Sequence, residues 1–213
     1  MLMRIKFLVV LSLFTGLAHA DWTGVAAELA NVDSDWEFDD GLREAQIDGI
    51  SIQVEEKTET GLAVGVGIGY ISMRVVGDGS ANNRKFDAEY LQIYLRQEIS
   101  ISKSVSLYGL FNYSYNTGDD NDDDDPADID WDETSVQIDL NIRFANFGVS
   151  PFAAYHNIDG DISDDNGTAV FENDEPVSHG IRFDYYTEPT AFIRIVLQSG
   201  GQAGGYLTFV RRY

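Results

Sequence analysis

Apolar and polar residues alternate with a period of two along most of this chain. In four segments, large apolar side chains occupy every second position, and polar residues or glycines occupy the positions between them. The apolar rows are Leu62, Val64, Val66, Ile68 and Tyr70; Leu91, Ile93, Leu95 and Ile99; Val136, Ile138, Leu140, Ile142 and Phe144; and His179, Ile181, Phe183 and Tyr185. Successive side chains of a β-strand point to opposite faces of its sheet, so this alternation predicts strands rather than helices.

Nine strands follow from the alternation, at about 48–57, 61–74, 86–100, 103–116, 133–145, 148–159, 176–187, 190–199 and 203–213. The connections near 57–61, 100–103, 145–148 and 187–190 are short. The polar connections near 76–85, 117–132 and 160–175 are long, and a glycine-rich one near 198–205 is shorter. Short turns at one end and long loops at the other are typical of a transmembrane β-barrel of the outer membrane.

The strand count is constrained by parity, because bacterial single-chain barrels contain an even number of strands. A tenth strand at 22–31, followed by an acidic outer loop at about 32–46, restores an even number. We therefore predict an all-β protein, a closed antiparallel transmembrane β-barrel of ten strands with short periplasmic turns and long acidic extracellular loops. Eight strands, with residues 21–57 partly outside the wall, is the alternative.

The two faces of the predicted strands differ in character. In a barrel the branched aliphatic residues face lipid, and a closed ring of strands pairs every backbone group that water cannot reach. The opposite face then forms a network of opposite charges in the lumen, from Arg96, Glu98, Asp139, Arg143, Arg182, Asp184 and Arg194. A soluble β-domain, with the apolar rows buried in a sandwich core, is the alternative.

Two further patterns bear on the lumen and the membrane boundaries. Gly65, Gly67 and Gly69 lie on the inner face and leave room for bulky neighbours such as Tyr90, Tyr94 or Arg96 to cross a lumen that side chains fill. Aromatic residues near strand ends favour membrane interfaces. They are Tyr70, Tyr113, Tyr115 and Tyr155 toward the loops, and Phe144, Phe147, Phe192 and Tyr213 toward the turns.

The N-terminus has the features of a secretory signal. Arg4 and Lys6 precede an apolar run at 7–14, and Ala18-His19-Ala20 is a cleavage site of the A-x-A type. We therefore expect residues 1–20 to be a cleaved signal peptide and residues 21–213 to be one barrel domain. Without Arg4 and Lys6 the chain carries 12 basic and 36 acidic residues, which argues against nucleic acid as a partner. No cysteine is present to form a disulfide.

The chain resembles the small outer-membrane β-barrel proteins of Gram-negative bacteria, porin-like or OmpA-like in architecture. The resemblance rests on the signal end, the alternating strands and the last strand, in which Leu207 and Phe209 precede a terminal Tyr213. Arg211 departs from the family's pattern of apolar residues at every second position. The resemblance implies a cell outer-membrane location, outer-membrane lipids and lipopolysaccharide as partners, and recognition of the C-terminal strand by the barrel-assembly machinery.

An acidic segment at 119–133 packs ten carboxylates into fifteen residues. Carboxylates suit hard cations such as Ca²⁺, but the segment lacks the Gly and Glu positions of an EF-hand, and so does the stretch at 159–161. We expect a solvated loop whose charges repel. Divalent cations that bridge these carboxylates to lipopolysaccharide phosphates are the alternative.

Candidate catalytic chemistry is sparse. After the signal segment the histidines are His156 and His179, which we expect to be interfacial residues. The His-x-Ser-Asn motif that lipid A deacylases carry is absent, because Gly180 and Ile181 follow His179 and Ser178 precedes it; omptin proteases are considerably longer. We expect no catalytic residue, no metal and no cofactor. The predicted function is structural or interactive, with a small cation-preferring pore, or a barrel enzyme acting on lipid A or peptides, as alternatives.

Overall fold

The computed structural model describes residues 20–77, 84–120, 126–165 and 167–213. All but the last residue of the expected signal peptide therefore lies outside the described residues. Within them, eleven antiparallel strands form one sheet. They are β1 Ala20–Phe38, β2 Gly41–Thr58, β3 Leu62–Gly77, β4 Lys85–Ser102, β5 Val105–Asp120, β6 Ala127–Phe144, β7 Phe147–Asp164, β8 Gly167–Asn173, β9 Val177–Glu188, β10 Ala191–Gly200 and β11 Gln202–Arg212.

Ten of these strands close into a barrel. The ring runs from β1 through β7 to β9, β10 and β11, and β11 pairs with β1 over a continuous register from Gly24↔Arg212 to Ser34↔Gln202. The last residue extends this seam, since Tyr213 N donates to Thr23 O at 2.8 Å. The prediction of ten strands is confirmed and the alternative of eight is wrong, while β8 is an additional strand outside the ring.

The barrel has two different ends. The turn end carries both ends of the described chain, at residues 20 and 213, and the tight connections at 59–61, 103–104, 145–146 and 189–190. These connections match the four short turns that the sequence predicted. Gly61 has a φ of +86°, a backbone conformation that favours glycine. The opposite end, which we call the tip end, carries the β1–β2, β5–β6 and β7–β8 connections.

The prediction of long loops is wrong for three segments, which are largely strand. The hairpin of β1 and β2 continues through 32–46, that of β5 and β6 occupies most of 117–132, and β7 and β8 occupy most of 160–175. The composition of these segments is acidic and suggests loops, but every second position is inward and mostly apolar, as Val32, Trp36 and Phe38 show around Ser34. Residues 78–83, in the expected loop at 76–85, lie outside the described residues.

The predicted orientation of the strand faces is confirmed. A band of exposed aliphatic and aromatic side chains covers the outside of the barrel from β1 to β6 and from β9 to β11: Val25, Leu29, Ile50, Ile52, Ile68, Leu95, Ile99, Phe111, Val136, Ile138, Leu140, Ile142, Phe183, Ile195, Leu197 and Phe209. These residues would be buried in a soluble sandwich, so that alternative is wrong. Most of the predicted interfacial aromatics flank the band, but Phe192 is buried and packs on Tyr186 inside the barrel.

The glycine row on β3 is an inner surface against which tyrosines lie, as predicted. A Cβ atom built on Gly65 would be 2.0 Å from Tyr94 Cζ, and one built on Gly69 would be 2.3 Å from Tyr90 Cε1. A Cβ on Gly67 would meet Gln92 Oε1 at 2.9 Å. The rings of β4 therefore use space that any larger residue on β3 would take.

We expect Gly65→Ala to destabilise the barrel by about 1–3 kcal/mol, the usual effect of overpacking, because Tyr94 must leave its position. Urea unfolding of the protein in detergent measures this change. Gly109→Ala is the matched control, since a Cβ at that strand position meets nothing within 4 Å. Adding Tyr94→Leu to Gly65→Ala should recover much of the loss, and strictly additive effects would contradict the packing explanation.

Candidate functional site: a polar cavity beneath an apolar cap

The ring of strands narrows from ten to eight toward the tip end. Strand β7 pairs with β9 over 147–155 and then with β8 over 159–164. Strand β1 likewise pairs with β11 up to Ser34 and then with β8 at 36–38. The β10–β11 hairpin therefore adds two strands to the ring only in its turn-end part. In the tip-end part, β1 to β8 form the closed ring.

Side chains complete the hydrogen bonding where the ring narrows. Asn173 Oδ1 accepts a hydrogen bond from Ile158 N at 2.8 Å, and Ser178 Oγ accepts one from Gln202 N at 2.9 Å. Ser34 Oγ donates to Gly201 O at 3.0 Å. These bonds give partners to backbone groups that have left the regular ladder, as buried backbone groups require.

An apolar cluster fills the eight-stranded part, and we call it the apolar cap. Trp36 is fully buried at its centre, stacked on Phe171 at 4.3 Å between ring centroids and tilted against Trp131 at 5.9 Å. The interior of an eight-stranded barrel is just wide enough for side chains to fill. The other members are Phe38, Ala45, Ile71, Met73, Val75, Phe86, Ala88, Ala127, Ile129, Ile158 and Ile162.

Beyond the cap, Arg84 bridges two strands of the ring. Its Nη1 lies 3.3 Å from Asp120 Oδ2 on β5, and its Nη2 lies 3.1 Å from Asp164 Oδ2 on β7. Arg84 and both carboxylates are mostly buried, so this bridge continues the closure of the interior past the apolar cap.

The outside of the tip-end part is acidic. The strand register places carboxylates directly opposite one another, as in Asp119↔Asp128, Asp130↔Asp161 and Asp132↔Asp159. Like charges in such positions destabilise a sheet, so the apolar cap must offset their repulsion. The acidic segment expected to be one loop is thus divided between β5 and β6, and its residues 121–125 lie outside the described residues.

A polar cavity of about 310 Å³ lies between the apolar cap and the turn end. Its lining reaches Ile71 and Trp131 of the cap on one side, and Gly24 and Arg212 near the turn end on the other. Between these limits, amide, hydroxyl, carboxylate and guanidinium groups face the lumen. Those that bear on the arguments below are Glu28, Gln53, Gln92, Glu133, His156 and Gln202.

Four ion pairs form the charged network on the turn-end side, one of them the 3.9 Å contact of Arg182 Nε with Asp184 Oδ2. Arg96 contacts Glu55 through two nitrogens at 2.5 and 3.2 Å, and Arg194 contacts Asp184 through two at 2.8 and 3.2 Å. Arg182 Nη1 lies 2.6 Å from Asp139 Oδ2. The predicted lumen network is confirmed in these residues.

Other members of the predicted network contact different residues. Glu98 pairs at 2.5 Å with Lys57, a partner that the sequence did not indicate. The guanidinium of Arg143 lies over the ring of Tyr186, 4.0 Å from its centroid. Glu55 was missed as well, although its alternation with Gln53 and Ser51 on β2 was a usable signal of an inward position.

Two carboxylates occupy the cap side of the cavity, and neither was predicted. Glu28 accepts hydrogen bonds from Gln53 Nε2 at 3.1 Å and Thr208 Oγ1 at 2.8 Å. Glu133 Oε1 lies 2.9 Å from His156 Nδ1 and accepts a hydrogen bond from Gln202 Nε2 at 3.0 Å. The expectation that His156 is interfacial is wrong, because it faces the lumen; His179 is exposed on the outside.

No metal centre is formed by the residues that the structure describes: no three His, Cys, Asp or Glu side chains among them come together in a way that holds an ion. The same residues include no helix of the length and apolar character needed to cross a membrane.

Comparison with solved structures identifies the fold. The translocator domain of the autotransporter NalP from Neisseria meningitidis matches with a TM-score of 0.51 at 13% identity, covering 99% of this chain and 95% of that one. The outer membrane protease OmpT from Escherichia coli matches with 0.55 at 8% identity, covering 91% and 94%. An outer membrane channel from Pseudomonas putida F1 matches with 0.50 at 9% identity, covering 92% and 97%.

These three proteins differ in activity, so what they share with this chain is the architecture of an outer-membrane β-barrel. No protein-family model and no curated sequence matches the chain.

We expect Asp139→Leu to destabilise the barrel by about 3–5 kcal/mol, because the buried guanidinium of Arg182 loses its hydrogen-bonded carboxylate and keeps only the 3.9 Å contact with Asp184. Urea unfolding in detergent micelles provides the measurement, and adding Arg182→Met should recover most of the loss. Glu188→Gln breaks the exposed pair with Arg211 and should change stability by less than about 1 kcal/mol. If Asp139→Leu and Glu188→Gln lowered the free energy of unfolding equally, burial would not determine how much these ion pairs stabilise the barrel.

Proposed function

We propose that this protein is an integral outer-membrane barrel that does not conduct solutes and acts through its water-exposed tip end. The apolar band supports the membrane location, because aliphatic side chains on the outside of a closed sheet match hydrocarbon. The shared architecture supports the same location. The turn end would then face the periplasm, as short turns do in outer-membrane barrels, and the acidic tip end would face outward.

The apolar cap is the observation that carries this proposal. A pore needs a continuous polar path, but Trp36, Trp131 and Phe171 fill the lumen where the ring narrows to eight strands. The polar cavity is therefore blind on its cap side. In the eight-stranded part that contains the cap, the apolar side chains face inward and the carboxylates face outward. This is the arrangement of a water-soluble barrel, which can present a surface to a partner.

We further propose that the protein is not an enzyme. The pair of His156 and Glu133 is the arrangement closest to a general base in the cavity. Within the described residues, the imidazole has no hydroxyl group as a hydrogen-bond partner, since its side-chain contact is to Glu133. A histidine that activates a nucleophile is within hydrogen-bond reach of it.

Two partners follow from the same placement. Lipopolysaccharide would lie around the outer edge of the apolar band, where outward tyrosines such as Tyr113 bind acidic neighbours; its hydroxyl donates to Asp132 at 2.5 Å. Divalent cations would bridge these carboxylates to lipid phosphates. The barrel-assembly machinery would recognise β11, whose terminal Tyr213 ends the seam with β1.

Planar-bilayer recordings test the non-conducting state. We expect no conductance steps from the purified barrel, because the apolar cap excludes ions. A Trp36→Ala/Trp131→Ala/Phe171→Ala variant, shown to be folded by its heat-dependent mobility on SDS gels, should give steps by opening the cap. Leu42→Ala, at an exposed tip position, should remain silent. Steady cation-selective steps from the unmodified protein would overturn the proposal and favour the pore.

A further inference from the structure

Two carboxylates on the cap side of the polar cavity have no basic side chain in ion-pair contact, although the charge of Arg194 reaches Glu28 at longer range. Glu28 bonds to Gln53 and Thr208, and Glu133 bonds to His156 and Gln202. Within the described residues, neither carboxylate has a Lys or Arg nitrogen within the 4.0 Å of an ion pair. Three of the arginines that line the cavity, Arg96, Arg182 and Arg194, pair instead with Glu55, Asp139 and Asp184 on the turn-end side. Buried carboxylates are ordinarily paired with a cation.

Two further buried acceptors line the same side of the cavity without a partner. Gln92 Nε2 donates to Asn112 Oδ1 at 2.8 Å, while Gln92 Oε1 is buried and has no hydrogen bond. His156 is 7% exposed, and its Nε2 also has no hydrogen bond. When His156 Nδ1–H donates to Glu133, Nε2 is left as a lone-pair acceptor.

Glu28 and Glu133 each act electrostatically on the hydroxyls of Tyr90 and Tyr206, which places both carboxylates in the same region of the cavity. A Cβ atom on Gly67 would lie 2.9 Å from Gln92 Oε1 and 3.1 Å from Gln53 Cγ, so the two glutamines approach each other above that glycine. Gln53 in turn holds Glu28. Tyr90 and Tyr206 line the same cavity, and tyrosine rings attract cations. This region therefore contains hydrogen-bond acceptors without donors and tyrosine rings, and a positively charged donor would complement both.

We propose that this half of the cavity binds a small organic cation through a primary ammonium group. An ammonium has three donors, no acceptor and one positive charge, which complements two carboxylates, an amide oxygen and an imidazole lone pair. The cavity volume of about 310 Å³ lies at the lower end of the range of small-molecule sites. A bare metal ion fits less well, since no three His, Cys, Asp or Glu side chains of the described residues come together closely enough to ligate one ion.

The ligand would enter from the turn end. The apolar cap closes the other side, and the cavity lining continues down to Gly24 and Arg212 near the chain ends. In the membrane orientation proposed above, the ligand would come from the periplasm. The binding chemistry itself is independent of whether the barrel conducts.

Titration of the full-length mature barrel in detergent micelles with propylammonium chloride tests this site, followed by NMR of ¹³C-labelled histidine side chains. The imidazole signal of His156 should shift in a saturable manner, and that of the outward His179 should stay unchanged. Glu28→Gln and Glu133→Gln should each weaken the apparent affinity at least tenfold. Glu89→Gln, at an exposed outward position of β4, is the matched control and should leave the affinity unchanged.

The proposal is overturned if 1-propanol or sodium chloride shifts His156 as propylammonium does, if no saturation is reached, or if Mg²⁺ binds more tightly at the same residues. Gln92→Leu removes one acceptor without changing charge, so it tests the site even if a glutamate variant fails to fold; it should weaken binding several-fold. A conducting barrel that still binds propylammonium would overturn the proposed function alone.

Discussion

Closure of the sheet is the constraint on which the rest of this structure depends. The eleven-residue register between β1 and β11 removes both free edges, so that every strand of the ring has a partner on each side. Beyond the end of the β10–β11 hairpin, β8 closes the ring by pairing with β7 on one side and β1 on the other. At this transition, the side chains of Asn173, Ser178 and Ser34 form hydrogen bonds with backbone groups that have no partner in the ladder. The barrel thus changes its diameter without exposing an unpaired ladder.

The change of diameter coincides with a reversal of polarity. In the wide part, aliphatic residues face outward and charged groups face the lumen. In the narrow part, Trp36 and its neighbours face inward while carboxylates such as Asp130 and Asp132 face outward. One strand, β6, shows both arrangements, with Ile138 exposed at one end and Ile129 buried at the other. The same period-two alternation therefore places apolar side chains outward where lipid surrounds the strand and inward where water surrounds it.

Much of the fold could be predicted from the sequence, because lipid-facing strands alternate strictly and tight turns are short. Nine strands, the outward rows and a lumen network of opposite charges follow from that alternation, and the even strand count of bacterial barrels adds the tenth strand. The continuation of the strands past the apolar band was missed because acidic composition masked the inward row of Val32, Trp36 and Phe38. Glu28, Glu133 and the inward side of His156 were missed because the position of a side chain across the lumen depends on strand stagger, which local pattern does not encode.

The cap has a consequence for how the exposed tips can change over time. Although Asp40 pairs with the buried Arg43, the neighbouring Asp39 is an exposed turn residue of a hairpin whose base is held by a packed interior, so it contributes little to stability. Insertions and substitutions are best tolerated at such positions. Exposed turn positions of the narrow part can therefore change in sequence and length while the packed interior beneath them stays the same.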